Sequence, residues 1–598
     1  MTHRLNQPRF AFPMRLRPQA TLLAVAVAAV AGNAHAVSLD FGNSDIQSRF
    51  DTTVRYNLGF RGENIDSRLK MGPAGTSDPN NNAVALGNNR FEKGDVILNR
   101  LDVLSEFDLI YRYNYGFRVS AAAWYDSTYD GGVDDPSFGN AVSRGFFENG
   151  KYSDYTRNYT TGPYAEILDA FVFGTFDVGQ TTTSLKFGRH NIFWGNSLFP
   201  QSKQATIAYS QAALDLQKAA YSPGLEAKEL FLPQTQFTGT MQLNPEFSLG
   251  WQYSLEWRRD RYPEGGTFFE YAAPAFYGAD GPLIGTTRNK PGSGQHDWGV
   301  MAKWQPGFMD GGNMSLVFRE FREKTPNPFA TDENGSLDRV YNPKRNQLLG
   351  FAMEQNLASI NWGLELTYRR NAQLYTTVTG RLAEGPFPGA VIGFDSQEAP
   401  RGNVYGIVLN AVKLLPQTSF WDAGEVAAEL AFQHLDKVTY DPEFGLSAGG
   451  GFTPFGGNNF PLKGSGSPLC SDRSGQPGSG DETWGCATRN STVLSTNFTP
   501  RWLQVFPGVD LSAPVFVSWG VQGNSATGGL IGAEGQVSYS VGVQAEIYQA
   551  HTVKLAWNDS WSPDHNTYPA SGGQGVTGGG TWWQNDHGWL SLSLKTAF

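Results

Sequence analysis

Leu590-Ser591-Leu592-Ser593-Leu594-Lys595-Thr596-Ala597-Phe598 closes the chain. Leu590, Leu592, Leu594, Thr596 and Phe598 share one parity, and Ser591, Ser593, Lys595 and Ala597 share the other. Successive side chains of a strand point to opposite faces, so this stretch predicts a strand with one greasy and one polar face. One such strand would fit a soluble sandwich. The pattern recurs, however. Leu249, Trp251, Tyr253, Leu255 and Trp257 oppose Ser248, Gly250, Gln252, Ser254, Glu256 and Arg258; Val537, Tyr539, Val541 and Val543 oppose Gln536, Ser538, Ser540 and Gln544. In hydrocarbon every backbone polar group needs a partner within the protein, so spanning strands must close into a barrel with an apolar outside.

Read outward from the C-terminus, the chain yields eighteen such segments, at about 48–59, 95–109, 114–126, 165–177, 182–190, 235–243, 247–258, 296–304, 313–322, 348–357, 361–370, 403–414, 421–434, 497–506, 511–521, 535–545, 550–559 and 588–598. Short and long connections alternate between them. The expected fold is therefore all-β: a transmembrane antiparallel barrel with short periplasmic turns and long extracellular loops.

Composition agrees with this class. Arg4, Arg9, Arg15 and Arg17, an apolar run from Thr21 to Gly32 and Ala34-His35-Ala36 form a secretory signal peptide over residues 1–36. The apolar run is too short to span a bilayer, which takes about 20 residues. Loss of those four arginines takes the formal charge from −10 to −14, which argues against a nucleic-acid partner. The expected location is the outer membrane of a Gram-negative bacterium, in contact with lipid and lipopolysaccharide. Cys470 and Cys486 are expected to pair in an oxidising compartment, within a long extracellular loop over 435–496.

One connection differs from the rest. After Gly188-Arg189-His190-Asn191-Ile192-Phe193-Trp194-Gly195, the residues Gln204 to Ala219 are rich in Ala, Gln and Leu and predict a helix. Ser222-Pro223 then opens a second short helix toward Leu232, with Pro at its first position. This 190–235 segment is expected to fold into the lumen as a constriction. Gly188 and Gly195 would let the backbone bend where strand becomes loop. Arg189, His190, Asn191 and Trp194 would either lock the loop to the wall or touch a ligand. The inward parity carries Arg118, Lys186, Glu256, Arg258, Glu365, Arg369, Glu425, Glu429, Glu546 and Lys554 as candidate lumen charges. Charges of this kind tune selectivity in pores.

Two motif matches carry no chemistry. Gly445-Leu446-Ser447-Ala448-Gly449 fits a nucleophile elbow, which has meaning only between a strand and a helix. Gly573-Gln574-Gly575-Val576-Thr577-Gly578 fits a dinucleotide fingerprint but lies in a Gly-rich loop. Asp126, Asp130, Asp134 and Asp135 could hold Ca²⁺ or bridge lipopolysaccharide through cations, although their spacing misses that of an EF-hand loop. No metal, cofactor or catalytic group is expected.

Gly188-Arg189-x-Asn191-x-x-Trp194-Gly195 and Ser222-Pro223-Gly224-x-Glu226-x-Lys228-Glu229-x-x-Leu232-Pro233 resemble two recurring blocks of a proteobacterial outer-membrane barrel family, domain of unknown function 1302. The length, leader and terminal Phe598 fit that resemblance too. It implies a periplasmic lipoprotein-like partner, an inner-membrane transporter of the resistance-nodulation-division type, and traffic of hydrophobic or amphipathic small molecules of lipid or sterol kind. Two other readings stand beside a transport barrel: a non-conducting scaffold or receptor that docks the periplasmic partner, and a barrel hydrolase.

Overall fold

The structure is a computed structural model that describes residues 39, 41–69, 86–130, 151–263, 266–270, 284–288, 296–325, 327–331, 337–340, 344–374, 391–394, 400–448, 451–454, 460–467, 470–472, 474–528, 532–567 and 575–598. The expected leader and part of the long connections lie outside these ranges, with Asp134, Asp135, Gly449, Gly573 and Gln574 among them.

Eighteen antiparallel strands form one closed ring. They are β1 Ile46–Arg61, β2 Val96–Tyr111, β3 Tyr115–Asp126, β4 Tyr164–Val178, β5 Thr181–His190, β6 Gln234–Gln242, β7 Phe247–Ser254, β8 Trp298–Trp304 and β9 Asn313–Phe321. They continue as β10 Asn346–Leu357, β11 Ile360–Gln373, β12 Arg401–Leu415, β13 Ala423–Tyr440, β14 Asn490–Phe506, β15 Val509–Ser512 with Val515–Gln522, β16 Val537–Ile547, β17 His551–Trp561 and β18 Trp589–Ala597. β15 is interrupted at Ala513-Pro514 because proline lacks the N–H a ladder needs. The ring closes where Thr53 to Arg61 pairs with Ala597 to Trp589.

Burial follows parity, but inverted relative to a soluble protein. Leu249, Tyr253, Leu316, Ile407, Leu409, Val541 and Val543 are exposed on the outer wall, while Gln252, Ser254, Thr238, Ser591 and Ser593 on the other parity are buried. An apolar outer wall and a polar interior are matched to lipid outside and water inside. Turns of a few residues join the strands at one end. Arg112-Tyr113, Ala358-Ser359 and Tyr548-Gln549 take positive φ there, as the mirror-image hairpin turns require.

The far end is built from long connections, some with strands of their own. Ile284–Arg288, Asn327–Thr331, Leu337–Val340, Val391–Phe394, Phe444–Ala448 and Gly451–Pro454 make a separate six-stranded sheet. Gly445 to Ala448 is thus extended and not a strand-to-helix elbow. Other long connections interlock. Arg61 donates to the carbonyls of Phe91 (2.7 Å) and Asp586 (2.9 Å). Tyr152 donates to Gly266 O at 2.8 Å, and the Glu270 carboxylate accepts from Gly87 N at 2.9 Å and Gly266 N at 2.6 Å. Cys470 and Cys486 are joined, and both are buried.

Three strand ends differ most from expectation. β7 stops at Ser254, so Glu256 and Arg258 lie beyond the wall strand. Glu256 instead accepts from Thr235 N (3.0 Å) and its hydroxyl (2.8 Å), which ends the alternation despite Leu255 and Trp257. β13 and β14 run further outward than the sequence suggests, to Tyr440 and from Asn490, so the cystine connection spans 441–489.

Candidate functional site

The segment after β5 leaves the wall and crosses the lumen. It does not form the helix expected over Gln204–Ala219. It holds 3-10 turns at Pro200–Ala205 and Ala208–Ser210, a two-residue ladder of Ala213–Leu214 with Phe231–Leu232, and short helices Leu216–Tyr221 and Ala227–Leu230. Within this range the N–H of Ile207 goes to Glu365 (2.6 Å), that of Leu214 to Asp260 (2.8 Å) and that of Gln217 to Arg261 O (3.1 Å), so a long helix loses its ladder, a tertiary override of local propensity.

Two carboxylates fix the turn that precedes this range. Glu365 of β11 accepts from the backbone N–H of Asn196 (2.6 Å), Ser197 (2.9 Å) and Ile207 (2.6 Å). Glu429 of β13 accepts from Leu198 N (2.6 Å), Phe199 N (3.3 Å) and the Ser197 hydroxyl (3.0 Å). Both side chains are fully buried. A buried carboxylate is tolerable only when its lone pairs are satisfied, and the turn 196–199 together with Ile207 N satisfies these. Asn410 donates to Asn196 O (2.9 Å), Thr367 to Ala205 O (2.9 Å) and Arg319 to Ser210 O (2.8 Å). Trp194 and Ile207 add an apolar seat with Val317, Phe321, Leu348 and Ala352.

The second block fastens to the opposite wall. Ser222 donates to Asp102 of β2 at 2.7 Å, and Ser593 of β18 donates to Pro223 O at 3.0 Å. Lys595 pairs with Glu226, and Lys228 with Glu106 at 2.6 Å. Glu229 lies between Arg55 of β1 (2.7 Å) and Lys218 (2.9 Å). Burial alone would raise the Glu229 pKa, but Lys218 and Arg55 outweigh it and hold the group at about 2. The segment therefore leaves at β5, latches to β11 and β13, latches again to β18, β1 and β2, and returns to β6.

The residues expected at the hinge divide in role. Gly188 and Gly195 take φ of 125° and 83°. A Cβ at Gly188 would meet Ala170 O at 2.3 Å. His190 is buried, its ring against Gly188 O (3.0 Å) and the Thr238 hydroxyl (2.8 Å). Asn191 donates to Phe231 O at 3.1 Å. Arg189 shares the parity of lipid-facing Phe187 and reaches Ile167 O (3.1 Å) and Glu256 (3.6 Å), so it is held by the wall. Arg258 lies against Pro233 O (2.9 Å) and Glu166 (3.6 Å). Arg369 pairs with Glu323 at 3.5 Å. Arg118 pairs with Asp108 at 2.6 Å. Glu425 shares the inward parity of Glu429 on β13, and Lys186 that of His190 on β5. Asp126 caps a turn by accepting from Thr128 N at 2.8 Å. Among the described residues no group of three His, Cys, Asp or Glu is arranged to hold a metal ion.

Sequence reasoning placed Glu365 and Glu429 inward but missed their latch role, and it missed Arg55, Asp102, Ser222 and Ser593 as anchors. The second block was the available signal for Ser222, Glu226 and Glu229.

The sequence model for the family described as "Protein of unknown function (DUF1302)" matches residues 17–598. The chain belongs to the DUF1302 family. No curated protein matches this DUF1302 chain. Among solved structures it is similar to Pseudomonas putida OprB, with 9% identity over 93% of this chain and 94% of that one and a TM-score of 0.35. It is similar to Acinetobacter baumannii OccAB4, with 7% identity over 92% and 98% and a TM-score of 0.39. It is also similar to the outer-membrane channel DcaP of Acinetobacter baumannii, with 9% identity over 93% and 98% and a TM-score of 0.33.

Proposed function

We propose that this DUF1302 protein is an outer-membrane transport barrel for hydrophobic or amphipathic small molecules, with the 190–235 segment as its internal constriction. The observation that carries the reading is the segment itself, anchored by Glu365 and Glu429 on one wall and by Asp102, Ser593 and Arg55 on the other. A strap across a water-facing lumen sets what passes. Apolar cargo is supported by aromatic groups at the strap, including Phe193, which is 61% exposed beside Phe231. The periplasmic lipoprotein-like partner and the inner-membrane transporter complete this reading as receivers of the cargo.

The test is ion conductance in planar bilayers for the mature chain, a deletion of about 204–232, and the double variant Glu365→Gln/Glu429→Gln. Release of the strap raises conductance. Unchanged conductance in both variants, with folded barrels, sinks the constriction.

A non-conducting scaffold is the second reading. It draws support from Tyr221 of the strap, which is fully buried against Tyr129 and Phe269 of the outer loops. Capture of a periplasmic partner with no flux in any variant favours it. A barrel hydrolase has weaker support: His190 faces a backbone carbonyl and a threonine hydroxyl.

A further inference from the structure

Below the strap, toward the short-turn end, β3, β4 and β5 present a small continuous lumen face. Arg118 is paired in register with Phe171, and Phe171 with Gly188; Phe173 is paired with Gly116 and with Lys186. Directly paired residues share a face. That face is the inner one, because Arg118 meets Asp108 on the parity of Asp102, which holds strap residue Ser222.

Two rings and two cations thus alternate across three strands, and the Phe173 ring lies in the space that the absent side chain of Gly116 leaves. A Cβ on Gly116 would meet the Phe173 ring at 2.6 Å. The Lys186 ammonium stands 5.4 Å from the Phe171 ring centroid. Among the described residues no carboxylate lies within ion-pair distance of Lys186. The nearby acids are engaged elsewhere: Asp108 holds two nitrogens of Arg118 at 2.6 and 2.7 Å, and Asp169 accepts from Ser120 at 3.0 Å. Lys186 is exposed to the lumen, and the Arg118 side chain is partly so.

An ammonium without a carboxylate partner, beside the half-buried rings of Phe171 and Phe173, suits one kind of solute. Its charged end must be an anion that Lys186 and the outer edge of Arg118 can meet. Its body must be apolar and flat or narrow enough to lie on Phe171 and Phe173. We infer that Arg118, Phe171, Phe173 and Lys186 form a lumen subsite for amphipathic carboxylates. This rests on the transport reading and names its cargo more narrowly: an organic acid with an apolar body, held at the exit side of the strap.

The experiment uses the mature chain in lipid nanodiscs and measures binding by equilibrium dialysis. The probes are 2-naphthoate, 2-naphthylmethanol and 2-naphthylmethylammonium. The expected result is that naphthoate binds most tightly. Lys186→Gln then weakens it about tenfold and leaves the alcohol unchanged, and Phe173→Leu weakens naphthoate and alcohol alike. Heat-modifiable gel mobility verifies that each variant is folded. Equal binding of naphthoate by folded Lys186→Gln, or ammonium binding as tight as naphthoate, overturns the subsite. Flux of naphthoate into liposomes separates the two ideas. Lys186-dependent binding without flux removes the transport reading and keeps the subsite. Flux without Lys186-dependent binding removes the subsite and keeps the transport reading.

Discussion

The carboxylate of Glu365 occupies the space that a side chain at position 195 would need: a Cβ on Gly195 would stand 2.4 Å from its Oε1. The strap turns at Gly195 with φ of 83°, and the next two N–H groups point at that same carboxylate. Latch and hinge are one device.

Gly195→Ala therefore imposes backbone strain of about 1–3 kcal/mol and displaces Glu365 as well. Amide exchange at Asn196, Ser197 and Leu198 is expected to rise by tenfold or more, the factor for about 1.4 kcal/mol. Native-state hydrogen exchange reads this directly. Unaltered protection would mean that the latch does not depend on the glycine.

At the second anchor, Glu229 is held at about 2 against an ordinary 4.5, with burial opposing and Lys218 and Arg55 prevailing. A depressed carboxyl contributes stability above its unfolded pKa and loses it as pH falls toward the folded value. The strap should thus loosen between about pH 4.5 and pH 2. Glu229→Gln should loosen it at pH 7 and flatten that acid response. Removing one partner of a buried pair costs about 3–5 kcal/mol, and native-state hydrogen exchange across residues 216–230 is a suitable reporter.

Glu270 behaves in the opposite sense. Burial pushes its carboxyl up to about 8, only partly offset by Gly266 N and Gly87 N, while Asp586 pushes it further up. A raised carboxyl binds its proton more tightly when folded, so stability falls as pH climbs from the unfolded value to the folded one. Contacts among the outer loops should weaken from about pH 4.5 to pH 8 and then level off. Hydrogen exchange at residues 86–90 and 266–270 across that range is the measurement, and Glu270→Ala should abolish the slope.

Reduction of Cys470–Cys486 should free the outer connection without opening the wall. Closing a loop of this size contributes about 3 kcal/mol in the chain-entropy model. Faster proteolysis within 460–487 after reduction, with gel mobility of the barrel unchanged, is the expected outcome. Loss of the folded band would place the cystine in the barrel's own stability.

The wall was legible because its signal is local. Leu590, Leu592 and Leu594 against Ser591 and Ser593 need only a period of two and a lipid boundary to declare which face is which. Where the alternation persisted past the ladder, at Leu255 and Trp257, the reading overran, since periodicity cannot see that Glu256 has turned to Thr235. Arg189 and Lys186 lie on opposite faces, as their parity requires, but only the fold shows that Arg189 is taken up by Ile167 O and Glu256.

The amino-acid pattern by itself determined an eighteen-strand barrel, its polar interior and the one connection with unusual composition. Tertiary structure alone decided what that connection does. Asn196 and Glu365 are 169 residues apart in the chain, and Ser593 and Pro223 are 370 apart. Side-chain parity states which face a residue joins, whereas the backbone N–H it will satisfy is chosen by closure of the ring, which brings distant strands around one short segment.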